Sequence, residues 1–153
     1  MTVEMKVMIS AEEIHAKVQE LGKKIDAHYA NSDKELVLIG LLRGSVIFMA
    51  DLCRAIRKEH ELDFMTVSSY GGGITSTRDV KILKDLDGEI HGKDVLIIED
   101  IIDSGNTLSK VLEILSTRQP NSIELCTLIS KPSRREIDLD VKFLGFEVED
   151  KFI

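Results

Sequence analysis

The sequence has no tryptophan, only two cysteines and two prolines among 153 residues, and aromatic residues make up just 5% of it. Cys53 and Cys126 stand far apart, each inside an apolar pattern, so the disulfide framework of a small secreted domain is excluded. Both are expected to be buried free thiols of a reduced cytoplasmic protein. Two prolines without any low-complexity tract exclude a collagen-like or disordered chain. No apolar run approaches the roughly 20 residues of a membrane span. The first segment, Met1 to Met8, carries charges and lacks the apolar core of a signal peptide. A cytoplasmic location with no membrane partner is expected.

Positive charge is scarce as well. Lysine and arginine number 20 against 27 aspartates and glutamates, giving a net charge of −7. A nucleic-acid partner is therefore not expected, because binding a phosphate backbone needs clustered basic residues. Any phosphate this protein binds must be met by backbone N–H groups, a few local cations or a divalent metal. His15, His28, His60 and His91 lack metal-ligand spacing, so no zinc or iron site is expected. Neither G-x-x-x-x-G-K-[ST] nor G-x-G-x-x-G occurs, which argues against P-loop and dinucleotide enzymes.

What is present describes one folded domain over 1–153, with 43% apolar and 31% charged residues. Ser10 and Glu13 form a capping-box pattern, and Ile14, Val18, Leu21 and Ile25 recur at helical spacing behind it. Leu36 to Leu42 is a continuous apolar run, the pattern of a strand covered on both faces of a parallel sheet. A second helix is expected over Val46 to Arg57, with Val46, Met49, Ala50, Cys53 and Ile56 inward. Asp63 to Tyr70, Val80 to Leu86, Asp94 to Glu99, Ile123 to Ile129 and Val141 to Phe146 read as further strands. Gly71-Gly72-Gly73 and the polar stretch to Arg78 read as a mobile loop, and Leu108, Val111, Leu112 and Leu115 stripe another helix. Alternating strands and helices predict an α/β fold with a central, mostly parallel sheet flanked by helices. In such folds ligands lie beyond the carboxyl ends of the strands, so the loops at Arg43, Glu99 and Lys131 should converge.

The strongest chemical signal runs from Val95 to Thr107. Four apolar residues place Glu99 and Asp100 at the carboxyl end of a central strand, where two adjacent carboxylates need a reason, because charge beside a core is costly. Asp103, Ser104, Gly105, Asn106 and Thr107 then open a helix, whose free N–H groups and dipole favour an anion. An ordinary helix cap would explain one or two of these residues but not the acidic pair with Asp103.

This segment closely resembles the phosphoribosyl-pyrophosphate motif of type I phosphoribosyltransferases, and its wording resembles the hypoxanthine(-guanine) phosphoribosyltransferase branch. The resemblance implies that family's fold, with a flexible lid loop after Ser68-Ser69-Tyr70. Leu42-Arg43-Gly44 resembles the pyrophosphate loop, where an often cis peptide before Arg43 turns N–H groups toward the leaving group. Lys131 matches the lysine that bonds the purine 6-oxo group, selecting hypoxanthine and guanine over adenine. On composition alone it is an ordinary solvated lysine. Phe152 resembles the aromatic residue that stacks on the base, and Ile153 a position offering backbone groups to the purine edge.

The reaction so implied moves ribose 5-phosphate from phosphoribosyl pyrophosphate to N9 of hypoxanthine or guanine, giving IMP or GMP and pyrophosphate. Asp103 would be the general base at purine N7. Ser104, Gly105, Asn106, Thr107 and Leu108 would take the 5′-phosphate. Glu99 and Asp100 would hold the ribose hydroxyls, directly or through Mg²⁺. Ser69 and Tyr70 would belong to the closing lid.

Relatives continue for a couple of dozen residues past the position of Ile153. That tail carries a further acidic Mg²⁺ contact and a basic residue near the pyrophosphate. Its absence would be expected to impair the metal site and activity while sparing the fold. The family's habit also suggests a homodimer or homotetramer. Three competing readings are a regulatory or RNA-binding protein on the same fold, a phospho-accepting receiver domain, and an enzyme preferring guanine or xanthine.

Overall fold

The structure is a computed structural model and describes residues 9–69 and 80–149. Its first helix, α1, spans Ala11–Tyr29 and begins with the expected capping box. The Ser10 hydroxyl accepts from the Glu13 N–H at 3.1 Å, and the Glu13 carboxylate accepts from the Ser10 N–H at 3.3 Å. Two orphan donors of the first turn are satisfied in this way. Val18, Leu21, Ile25 and Tyr29 form its buried stripe.

Six strands follow: β1 Leu36–Leu41, β2 Glu61–Ser69, β3 Val80–Lys84, β4 Asp94–Ile102, β5 Ser122–Ser130 and β6 Phe143–Glu147. They form one sheet in the order β3-β2-β1-β4-β5-β6, parallel throughout except that β3 runs antiparallel to β2. The central strands β1 and β4 explain the continuous apolar runs, because both of their faces are covered. All six residues of β1 are buried, as are Asp94 to Ile98 of β4.

The second helix, α2, spans Val46–Ala55, and the third, α3, spans Asn106–Ser116. α1 and α2 cover one face of the sheet, joining Leu21, Phe48 and Leu52 to Leu38, Leu96 and Cys126. On the other face Leu108, Val111 and Leu115 of α3 pack on Ile39, Val95 and Ile97. α1 approaches α2 so closely that a Cβ on Gly22 would lie 2.5 Å from the Ala55 carbonyl oxygen. Only a glycine permits that spacing.

Three expectations change here. α2 buries Phe48, Met49 and Leu52, whereas Val46 is 43% exposed and Ala50 is also exposed. The inward stripe is thus rotated by about one residue, roughly 100° of helix. Its anchor is Ser45, fully buried, whose hydroxyl donates to the Leu41 carbonyl at 2.7 Å and fixes the first turn against β1. Ile56 is buried but lies just past the helix end, and Cys53 is only partly buried, whereas Cys126 is fully enclosed. Finally, β4 continues to Ile102, three residues beyond Glu99, with Ile101 and Ile102 paired to Ile129 and Ser130.

Two buried aspartates that sequence patterning did not single out tie the ends of the sheet. Asp94, at the start of β4, accepts from Ser32 Oγ, Asn121 Nδ2 at 2.7 Å and Ser122 Oγ at 2.8 Å. Asp63 accepts from the N–H groups of Phe64, Asp87 and Gly88. Burial alone would raise both pKa values. Those donors, with Lys58 near Asp94 and Lys84 near Asp63, outweigh it and lower them. Among the described residues no helix is long and apolar enough to cross a membrane.

Candidate active site

The carboxyl ends of β1 and β4 face one another across a cleft of about 310 Å³. Leu42 and Gly44 line it from the β1 side, and Glu99, Asp100 and Thr107 from the β4 side. The peptide between Leu42 and Arg43 is cis, as the sequence resemblance implied. The Leu42 N–H donates to the Met65 carbonyl at 2.8 Å, which ties this loop to β2. Arg43 itself is exposed, and the cleft wall here is formed by its neighbours. Ser69 ends β2, and nothing is described of its side chain.

Glu99 and Asp100 are only partly exposed at the top of β4. Burial and, secondarily, the neighbouring Asp100 charge push the Glu99 carboxyl from an ordinary 4.5 up to about 8. Burial raises Asp100 as well. Two carboxylates that resist ionisation at the floor of a cleft are suited to partners that supply positive charge or hydroxyl donors.

Beyond the strand, Asp103 to Gly105 form a turn into α3. Gly105 sits at the helix N-cap with φ +85°, a left-handed conformation that favours glycine. A Cβ there would also meet Leu139 Cδ1 at 2.9 Å. Gly105 is therefore required by the turn and by the segment packed behind it, in addition to any ligand in front. The N-cap residue Gly105 has no side chain with which to cap α3. The Ser104 hydroxyl accepts the Asn106 N–H at 3.2 Å, while the N–H groups of Thr107 and Leu108 have no intrahelical acceptor. An anion placed in the adjoining pocket, lined by Glu99, Asp103, Ser104, Gly105 and Thr107, would complete the cap. The Leu108 side chain is buried in the core, so only its backbone can face such a ligand.

Lys131 follows β5 directly and is 4% exposed, not solvated as its position alone would suggest. Its Nζ lies 3.5 Å from Asp103 Oδ1, and its N–H donates to the Ile102 carbonyl at 3.0 Å. The loops at Arg43, Glu99 and Lys131 thus meet at one end of the sheet. Tyr70, Phe152 and Ile153 lie outside the described residues.

Among the described residues no group of three or more His, Cys, Asp or Glu side chains could hold a metal. Glu99 and Asp100 still offer two hard oxygen donors on the cleft. That set fits Mg²⁺, which commonly takes one or two carboxylates and completes its shell with substrate oxygens and water. It does not fit a tightly bound resident ion.

An acidic strand end and a helix start with free N–H groups thus meet beside the Arg43–Gly44 loop. The phosphoribosyl transferase domain model matches residues 10–153. The chain belongs to the phosphoribosyltransferase family. It is 62% identical over 149 residues to the hypoxanthine phosphoribosyltransferase of Salmonella typhimurium and 61% identical to that of Escherichia coli. Each match covers 97% of this chain and 84% of the relative. A crystal structure of a hypoxanthine phosphoribosyltransferase from Staphylococcus aureus matches with a TM-score of 0.89 at 44% identity, over 95% of this chain and 78% of that one. The architecture is accordingly the type I phosphoribosyltransferase fold, and membership places the chain among the transferases. The receiver-domain reading is set aside by the same findings.

Sequence reasoning missed Ser45, which anchors the loop after β1 on this side of the candidate site, and Arg135. The Arg135 guanidinium donates to the carbonyls of Asp103 and Ile102 and to the Ser130 hydroxyl. No pattern marks it, because Ser133-Arg134-Arg135-Glu136 reads as an ordinary charged loop.

Proposed function

We propose that the chain transfers the 5-phosphoribosyl group of phosphoribosyl pyrophosphate to N9 of hypoxanthine, and also of guanine, in purine salvage. The products are IMP or GMP and pyrophosphate. The observation that carries this reading is the union at one strand end of an uncapped helix N-terminus and the Glu99–Asp100 pair. The first suits the 5′-phosphate and the second the ribose hydroxyls.

The transition state should carry positive charge on the sugar ring, so catalysis rests on positioning and electrostatics. Ser104 to Leu108 hold the phosphate, chiefly through backbone N–H groups. Glu99 and Asp100 hold the sugar hydroxyls and would ligate Mg²⁺, whose chemistry is to neutralise the departing pyrophosphate. The loop at Arg43 and Gly44 faces that leaving group. Asp103 is 48% exposed and free to approach purine N7 as general base. Lys131, poised beside it, donates to the 6-oxo group. Ser69, Tyr70, Phe152 and Ile153 keep the lid and base-edge roles the resemblance gives them.

This arrangement also answers the charge balance. A chain of net charge −7 can bind a polyanion when N–H groups meet the phosphates and carboxylates meet hydroxyls and metal. The same charge disfavours the RNA-binding reading. A cytoplasmic location and assembly as a homodimer or homotetramer are part of the proposal. Assembly is supported by Val46 and Ile47, which leave an apolar outer face on α2 at 43% and 72% exposure.

Pyrophosphate release from phosphoribosyl pyrophosphate, with hypoxanthine, guanine, xanthine and adenine supplied in turn, tests the reading. Turnover is expected with hypoxanthine and guanine, little with adenine, and none in the presence of a chelator of Mg²⁺. A xanthine-preferring profile would reassign the substrate, and turnover that survives chelation would remove the metal from the scheme.

A further inference from the structure

The segment after Lys131 closes over the back of the turn that leads into α3, and its hydrogen bonds go mainly to that turn's main chain. Arg135 Nε donates to the Asp103 carbonyl at 3.0 Å. One terminal nitrogen donates to Ser130 Oγ at 2.6 Å and reaches the Ile102 carbonyl at 3.5 Å. The Ser104 carbonyl accepts the N–H groups of Glu136 at 2.9 Å and Ile137 at 3.3 Å. The Glu136 carboxylate accepts from Asn106 Nδ2 at 3.0 Å. Three consecutive carbonyls, those of residues 102, 103 and 104, are therefore held from one side.

In a planar trans peptide the C=O and the following N–H point in opposite directions. Holding the Asp103 carbonyl backward aims the Ser104 N–H forward, and holding the Ser104 carbonyl does the same for Gly105. The bonds behind the turn thus set the donors in front of it. Arg135 contributes most, because its rigid fork reaches two carbonyls and the end of β5 with charge-assisted hydrogen bonds.

We propose that Arg135 is a positioning residue for donor binding, fixing the Asp103–Ser104 peptide plane that presents the Ser104 N–H to the 5′-phosphate. This rests on the phosphoribosyl pyrophosphate reading above. The residue acts through the turn.

The test compares wild type with Arg135→Ala and Arg135→Lys in three measurements: titration calorimetry with phosphoribosyl pyrophosphate and Mg²⁺, steady-state KM for each substrate, and thermal melting. Arg135→Ala is expected to weaken donor binding and raise donor KM by about 10- to 100-fold, with the hypoxanthine KM changed far less. Arg135→Lys keeps one donor and should fall between, and millimolar guanidinium should restore part of the alanine variant's affinity. Should the alanine variant not fold, the lysine variant carries the same comparison. Unchanged donor affinity in a folded variant overturns the proposal, as does an equal loss for both substrates that tracks a fall in melting temperature. Donor binding without turnover in wild type would sink the reaction proposed above while leaving this inference standing. A wild type that binds no donor would overturn both.

Discussion

Replacing Asp103 by Asn is expected to lower kcat by about 10²- to 10⁴-fold, the usual contribution of a positioned general base. The side chain stands at the mouth of the turn, with Lys131 Nζ 3.5 Å from Oδ1 and the backbone fixed by Arg135 at its own carbonyl. Asparagine keeps the size and one acceptor but cannot take a proton. The fold should survive, since the Asp103 carboxylate is 48% exposed, although the amide gives up the ion pair to the buried Lys131. Donor affinity should change little, because the phosphate is met by main-chain groups. Equal turnover in both proteins, measured with hypoxanthine at saturation, would remove Asp103 from the chemistry.

The second large effect concerns Glu99 and runs in opposite directions for stability and activity. Its folded-state pKa, about 8, lies well above the ordinary 4.5. The folded form therefore binds the proton more tightly than the unfolded chain does. Stability is undiminished below pH 4.5, declines as pH rises through the interval from 4.5 to about 8, and levels off above it. At one pKa unit per 1.36 kcal/mol the loss is at most about 5 kcal/mol, and solvent access should reduce it to about 1–3 kcal/mol. Glu99→Gln removes the charge and should raise the melting temperature at pH 8 in metal-free buffer by about 5 °C, and by much less at pH 4.5. Activity should fall by about 10- to 100-fold, because an amide is a poor Mg²⁺ ligand and a weaker acceptor from ribose hydroxyls. In wild type the same shift means that metal binding must expel a proton, so donor affinity should strengthen between pH 6.5 and 8.5. A Gln variant no more stable than wild type at pH 8 would contradict the burial account of this strand end.

The parts of the fold that the sequence announced are those in which periodicity and burial agree. Leu36 to Leu42 and Asp94 to Ile98 are buried on both faces and show no alternation, and both are central strands. α1 carries its own start signal at Ser10. α2 was legible as a helix but not in phase. Its residues 46–50 are all apolar, so composition admits several inward stripes, and the choice falls to the Ser45 hydroxyl bond at the end of β1. The end of β4 was set three residues early because Glu99 and Asp100 look like a stop, whereas pairing with β5 carries the strand to Ile102.

The half of the candidate site formed by the end of β4 and the start of α3 was legible because its chemistry is contiguous, from Glu99 to Leu108. Topology alone put Lys131 among the converging loops, and only the family resemblance gave it a ligand; its burial comes from β5 ending against the Asp103 turn. Arg135 was hidden for a more general reason. Its role lies in main-chain carbonyls 32 and 33 residues away, and no local pattern encodes such a partner.

The most direct measurement is a crystal structure of this chain with phosphoribosyl pyrophosphate and Mg²⁺. The 5′-phosphate should lie within hydrogen-bond reach of the N–H groups of residues 104–108, with the ribose hydroxyls and metal at Glu99 and Asp100 and the pyrophosphate at the Arg43–Gly44 loop. A donor bound elsewhere, or one whose phosphate avoids the start of α3, would contradict the account.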